Sequence, residues 1–174
     1  SNIPTDNLNR VCFILINDYE NEQHELGVGP LNDGYLIGLK HHRLGFKVFY
    51  LYNPRREEYT TYLTFFMYRT QEALTVFYSG REDNNEGIEF KDGSLSKSYI
   101  SEIISKNSNN KTHTLFITDC INSGSVFDIK GGSNMISFSV KKLCSPESKE
   151  SKRSHGILTY YFSKITSDCP NITP

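Results

Sequence analysis

The sequence predicts an α/β domain with a mainly parallel sheet covered by helices on both faces. Two observations carry this. Five short apolar runs, rich in β-branched and aromatic residues, recur along the chain: VCFILI at 11–16, FKVFYLY at 46–52, ALTVFYSG at 73–80, HTLFITDC at 113–120 and MISFSVKK at 135–142. Strands buried on both faces read as continuous apolar runs rather than as alternation. Helix-sized segments separate the strands, which is the arrangement of right-handed βαβ units.

Taken in order, the first strand closes at Asn17-Asp18 and the polar loop DYENEQHELGVGPLNDG follows. YLIGLKHHRLG then reads as a helix, with Leu36, Leu39 and Leu44 roughly on one face and Gly45 suited to its end. Asn53-Pro54 ends the second strand. REEYTTYLTFFMYRTQ is the second helix, with acids in its first turn and Tyr62, Phe65, Phe66 and Arg69 at helical intervals. After the third strand comes a polar stretch, REDNNEGIEFKDG, and then a third helix, SLSKSYISEIISK, that begins with a serine cap. An NSNNK turn leads into the fourth strand. The polar LCSPESKESKRSHG follows the fifth strand as a loop, and ILTYYFSKI, 157–165, reads as a closing amphipathic helix. In such a sheet, function gathers at the carboxyl ends of strands. Here those ends are Asn17-Asp18, Asn53, Ser79-Gly80 and Asp119 to Asn122.

At 174 residues, with 37% hydrophobic and 22% charged, the chain fits one globular domain with a core large enough to fold alone. Nineteen basic against 20 acidic residues give a net charge of −1, which argues against nucleic acid or an anionic membrane as partner. No apolar run approaches the roughly 20 residues of a membrane helix, and SNIPTDNLNR is unlike a signal peptide, so a soluble, cytoplasmic protein is expected. Cysteines 12, 120, 144 and 169 form no CxxC pair and read as thiols in a reducing compartment rather than as disulfides. His41 and His42, adjacent on a helix, diverge and make no metal pair. No cofactor or metal is expected. A flavodoxin-like reading, with GVGPLNDG cradling a phosphate, lacks the glycine spacing of a phosphate loop.

Several stretches, in order, resemble the metacaspases, a family of caspase-fold cysteine peptidases, over about Val11 to Ile165. The family has an Asn-Asp pair opening its first helix, where this chain has Asn32-Asp33. It has YSGHG after the third strand, where this chain reads Tyr78-Ser79-Gly80-Arg81-Glu82. It has Asp-(Ser/Cys)-Cys-His-Ser-Gly after the fourth, where this chain reads Asp119-Cys120-Ile121-Asn122-Ser123-Gly124. His155-Gly156-Ile157-Leu158-Thr159-Tyr160-Tyr161-Phe162 is similar to the family's HGxFTYxF. The resemblance implies a caspase-like three-layer sandwich over residues 11–166. Its large-subunit-like part would run to about 130 and its small-subunit-like part would follow. Residues 1–10 would be a disordered or tag-derived start, and 167–174 a tail.

The resemblance also implies which positions have lost their chemistry. The family's catalytic histidine falls on Arg81 and its nucleophilic cysteine on Ile121, while the acids of its basic-residue pocket fall on Asp33 and Asp119, both retained. Peptide hydrolysis by this route needs a thiolate and an imidazole. Isoleucine supplies no nucleophile, and arginine stays protonated and accepts no proton. A catalytically inactive pseudopeptidase is therefore expected, one that binds a protein partner or basic peptide, with an active metacaspase among the candidates.

The alternative is a divergent cysteine endopeptidase that cleaves after Arg or Lys using Cys120. Alternation along a strand turns Cys120 away from the site at 121 unless a bulge intervenes, and His155 would stand in for the histidine only if its loop folds over the sheet edge. Plainer readings exist for the acids: Asp33 as a helix cap and Asp119 as a partner of the following turn. Arg81 is also a candidate to lie across the acid pair and shut it. Glu82-Asp83, Glu86 and Glu89 are where the calcium dependence of metacaspases would be sought, and they read as a solvated loop. Ser123-Gly124-Ser125 reads as a flexible exit rather than an anion-binding turn. Without a nucleophile the loop SPESKESKRSHG is expected to stay uncut in cis.

Overall fold

The computed structural model describes residues 8–23, 25–83, 87–121, 126–127, 134–139, 156, 158–159 and 161. Seven strands and three helices follow along these residues: β1 (Arg10–Ile16), α1 (Gly29–Arg43), β2 (Lys47–Tyr52), α2 (Arg56–Arg69), β3 (Ala73–Arg81), β4 (Ile88–Phe90), β5 (Gly93–Leu95), α3 (Lys97–Asn107), β6 (His113–Ile121) and β7 (Met135–Ser139). Five strands form one parallel sheet in the order β2-β1-β3-β6-β7, and β4 and β5 form a separate antiparallel pair.

The sheet divides the core in two because its central strands bury both sets of alternating side chains. On one face Val11, Phe13 and Leu15 of β1 pack with Leu63 and Phe66 of α2 and Ile100 and Ile104 of α3. Phe13 anchors this layer, its ring 4.9 Å from that of Phe66 and 5.9 Å from that of Tyr59. On the other face Cys12, Ile14 and Ile16 pack with Ile37 of α1, Phe77 of β3 and Ile117 of β6. Leu158, in the short helical stretch that follows Gly156, packs against this second layer. The result is three layers: α1 with residue 158, the sheet, and α2 with α3.

Three local features differ from the sequence reading. Helix α1 begins at Gly29, six residues before the expected start, because Pro30 in its first turn supplies a preset backbone angle where no amide donor is needed. No side chain caps it, and Asp33 lies a turn inside rather than at the N-cap. The polar stretch after β3 hides β4 and β5, whose Ile88, Phe90 and Leu95 are buried. Strands three residues long are too short to show periodicity. The serine cap expected at the start of SLSKSYISEIISK falls two residues later: Ser94 and Leu95 lie in β5, and Ser96 caps α3, accepting from the Tyr99 amide at 3.3 Å.

His41 is a core residue. Its Nδ1 bonds the Ile37 carbonyl at 2.8 Å, its Nε2 bonds Thr75 Oγ1 at 3.1 Å, and its ring meets Phe46 edge-on. Burial holds its pKa below the ordinary imidazole value. Among the described residues no helix is long and apolar enough to cross a membrane.

Candidate functional site

From β1 the chain leaves through α1 on one face, and from β2 it leaves through α2 on the other. The winding therefore reverses between β1 and β3, and the crevice at the carboxyl ends of those strands is the favoured ligand position in an open parallel sheet. Three polar groups converge there.

The first group contains both acids of interest. Asp33, carried inward by α1, accepts from Ser79 Oγ at 3.0 Å on one oxygen and from the Gly156 amide at 2.8 Å on the other. Ser79 is the register partner of Asp119, and Asp119 accepts from the Thr159 amide at 2.7 Å. Asp33 is 2% exposed and Asp119 8%. Burial and then the charge of Asp119 push Asp33 up to about 7, against the partial offsets of the Gly156 amide and the Ser79 hydroxyl. A Cβ on residue 156 would stand 2.2 Å from Asp119 Oδ2, so only glycine lets the chain lie this close to the carboxylate.

The second group closes the end of β3. Tyr19 has a positive φ of 59°, unusual for a bulky side chain, and its hydroxyl donates to the Glu89 carbonyl at 2.9 Å while accepting from the Arg81 amide at 3.1 Å. The Tyr78 hydroxyl donates to the Arg81 carbonyl, its ring lying where Gly80 leaves room by lacking a Cβ. The Arg81 guanidinium sits over the Tyr19 ring, 5.9 Å from its centre. The third group is at β2: Asp18 accepts from Tyr52 Oη at 2.6 Å, from Asn53 Nδ2 at 2.6 Å and from the Glu20 amide at 3.0 Å.

Of the residues singled out from the sequence, Asp33 and Asp119 meet. Arg81 does not lie across them: they accept from the Ser79 hydroxyl and from the main-chain amides of 156 and 159, and Arg81 turns to Tyr19. Arg81 and Ile121 are register partners at the ends of β3 and β6. Cys120 is 6% exposed and packs with Tyr78 and Phe116 in the α2–α3 layer, whereas Asp119 meets the stretch on the α1 side. His155, Asn122 to Ser125, Glu86 and the loop 143–155 lie outside the described residues. No three His, Cys, Asp or Glu side chains gather to hold a metal among the described residues. Tyr19 and Thr159 were not legible as site residues. The only sign of Thr159 was its place in the HGILTYYF stretch.

No family model matches the sequence, and neither does any curated protein. Solved structures do match. The chain is similar to pro-sf-caspase-1, with a TM-score of 0.54 and 14% identity over 90% of this chain and 62% of that one. It is similar also to a structural-genomics protein from Geobacter sulfurreducens, with a TM-score of 0.55 and 16% identity over 68% of this chain and 52% of that one. The chain thus spans between about half and three-fifths of these two lengths. At such identity the likeness is one of fold, and the fold is caspase-like.

Proposed function

We propose that this caspase-like domain binds a protein partner or peptide through a basic side chain held by Asp33 and Asp119, and that it does not hydrolyse it. The observation that carries the reading is the pairing of Arg81 with Ile121 on adjacent strand ends. These are the two positions where the metacaspase resemblance expects histidine and cysteine. A permanently protonated guanidinium and an alkyl side chain provide neither general base nor nucleophile. Two further facts support the reading. Cys120, the nearest thiol, is buried in the layer opposite the acids. Asp33 carries an electrostatic penalty at neutral pH, from burial and then from the charge of Asp119, that an incoming cation would relieve.

The test is hydrolysis of fluorogenic Arg and Lys peptides, with and without calcium, by the protein and its Cys120→Ala variant, together with calorimetric binding of a non-cleavable Arg peptide. No turnover, with binding that is lost in Asp33→Asn and Asp119→Asn, is the expected result. Turnover abolished by Cys120→Ala would overturn the reading in favour of a cysteine endopeptidase.

A further inference from the structure

Arg81 ends β3 with its side chain only partly exposed. Its Nε is shielded from solvent and makes no hydrogen bond, although the residue as a whole is only half-buried. Ion pairs among the described residues join Arg10 to Glu72, Arg56 to Asp92 and Lys106 to Glu102. The two carboxylates expected to attract it, Asp33 and Asp119, bond Ser79 and the amides of Gly156 and Thr159 instead.

The base from which Arg81 projects is fixed. Its amide is held by Tyr19 and its carbonyl by Tyr78, and the ring of Tyr19 lies beneath the guanidinium. Tyr19 holds its place from a left-handed backbone, a conformation that persists where the surroundings over-determine it. A partly desolvated guanidinium on a half-buried residue, its base fixed by two tyrosines, has the donor geometry for a planar or tetrahedral oxyanion.

We propose that Arg81 anchors an oxyanion-binding site at the carboxyl end of β3, taking a carboxylate or phosphate group end-on through its two terminal nitrogens. This goes beyond the basic-residue reading of the acid pair and does not depend on it. The site places a cation where the crevice of the sheet opens, and its ligand chemistry is the opposite of that at Asp33 and Asp119.

The test is a titration of the protein with sodium acetate, sodium phosphate and, at matched ionic strength, sodium chloride, following the Arg81 side-chain Nε–H and the Tyr19 amide by NMR. A saturable shift with acetate or phosphate but not chloride is expected, and the arm that saturates identifies the source as carboxylate or phosphate. In Arg81→Gln the Tyr19 response is expected to weaken about tenfold or more, the loss of one charged hydrogen-bonded pair. If that variant loses its fold, Arg81→Lys, which keeps the charge but not the fork, is expected to weaken binding several-fold. Shifts that follow ionic strength equally in all three salts, or acetate and phosphate binding unchanged in both variants, would overturn the site.

Discussion

Asp18 and Asp33 are both buried at the same end of the sheet, yet their surroundings act on them in opposite directions. Burial alone pushes each upward. At Asp18 the hydrogen bonds from Tyr52, Asn53 and the Glu20 amide outweigh that push and hold the carboxyl below its ordinary range. At Asp33 the amide of Gly156 and the hydroxyl of Ser79 fall short, and the neighbouring charge of Asp119 adds to burial, so the group rises to about 7. The first acid ties β1 to β2 and is satisfied within the fold. The second is held at an electrostatic penalty, which is what the binding role proposed for it requires.

The largest expected effect comes from forcing apart the contact that covers the acid pair. Gly156→Ala places a methyl group within 2.2 Å of Asp119 Oδ2, so either the chain at 156 or the carboxylate has to move. Overpacking of this kind costs about 2 kcal/mol, a fall in Tm of about 4–8 °C for a chain of this size. Thermal denaturation measures it. A variant that melts with the parent would mean that Gly156 is not held against the acids in solution, and the contrast with Asp18 would lose its basis.

Next in size is a gain. A carboxyl whose pKa is raised by folding binds its proton more tightly in the folded chain, so stability falls as pH climbs from about 4, the ordinary value for Asp, to about 7, and is level above. Asp33→Asn removes that titration while keeping an oxygen to accept from Gly156. The variant is expected to be more stable than the parent by on the order of 1–2 kcal/mol at pH 8, with the difference vanishing near pH 4. Urea denaturation at the two pH values measures it. A variant less stable than its parent at pH 8 would class Asp33 with Asp18 as a structural acid.

The sequence made one of these regions easier to see than the other. Continuous apolar runs such as VCFILI announced the parallel sheet, and the ends of those runs marked the crevice, because burial on both faces leaves an unmistakable composition. Asp33 and Asp119 were legible through the stretches around them. What covers them was not, because main-chain amides at 156 and 159 carry no residue signature and lie 123 and 40 positions away from the acids they bond. The turn after β1 was equally opaque. Nothing in DYEN distinguishes a tyrosine at positive φ beneath Arg81 from one in an ordinary loop, since the conformation is imposed by bonds to Glu89 and Arg81, some seventy and sixty residues on. Arg81 was a candidate to lie across the acids because it sits at the end of a neighbouring strand. The ring of Tyr19 provides the nearer partner.

The smallest effect lies at Asp18 and tests the comparison from its other side. Tyr52 is half exposed, but its hydroxyl donates to Asp18 Oδ2 at 2.6 Å, and that bond to the carboxylate is the leading reason its own phenol is pushed up to about 12. Tyr52→Phe deletes one of three donors and leaves Asn53 and the Glu20 amide in place, so a loss of about 1 kcal/mol at pH 7 is expected. Because folding lowers the pKa of Asp18, the stability it contributes is present above the ordinary carboxyl value and is lost as pH falls through the folded one. The penalty of Tyr52→Phe therefore grows as pH rises toward about 4 and is level above it, where the gain of Asp33→Asn begins to appear. Denaturant titrations of the two variants between pH 3 and 8 should diverge from the parent in opposite directions. Curves that move together would mean that the two carboxyls share one electrostatic environment and that hydrogen-bond count does not separate them.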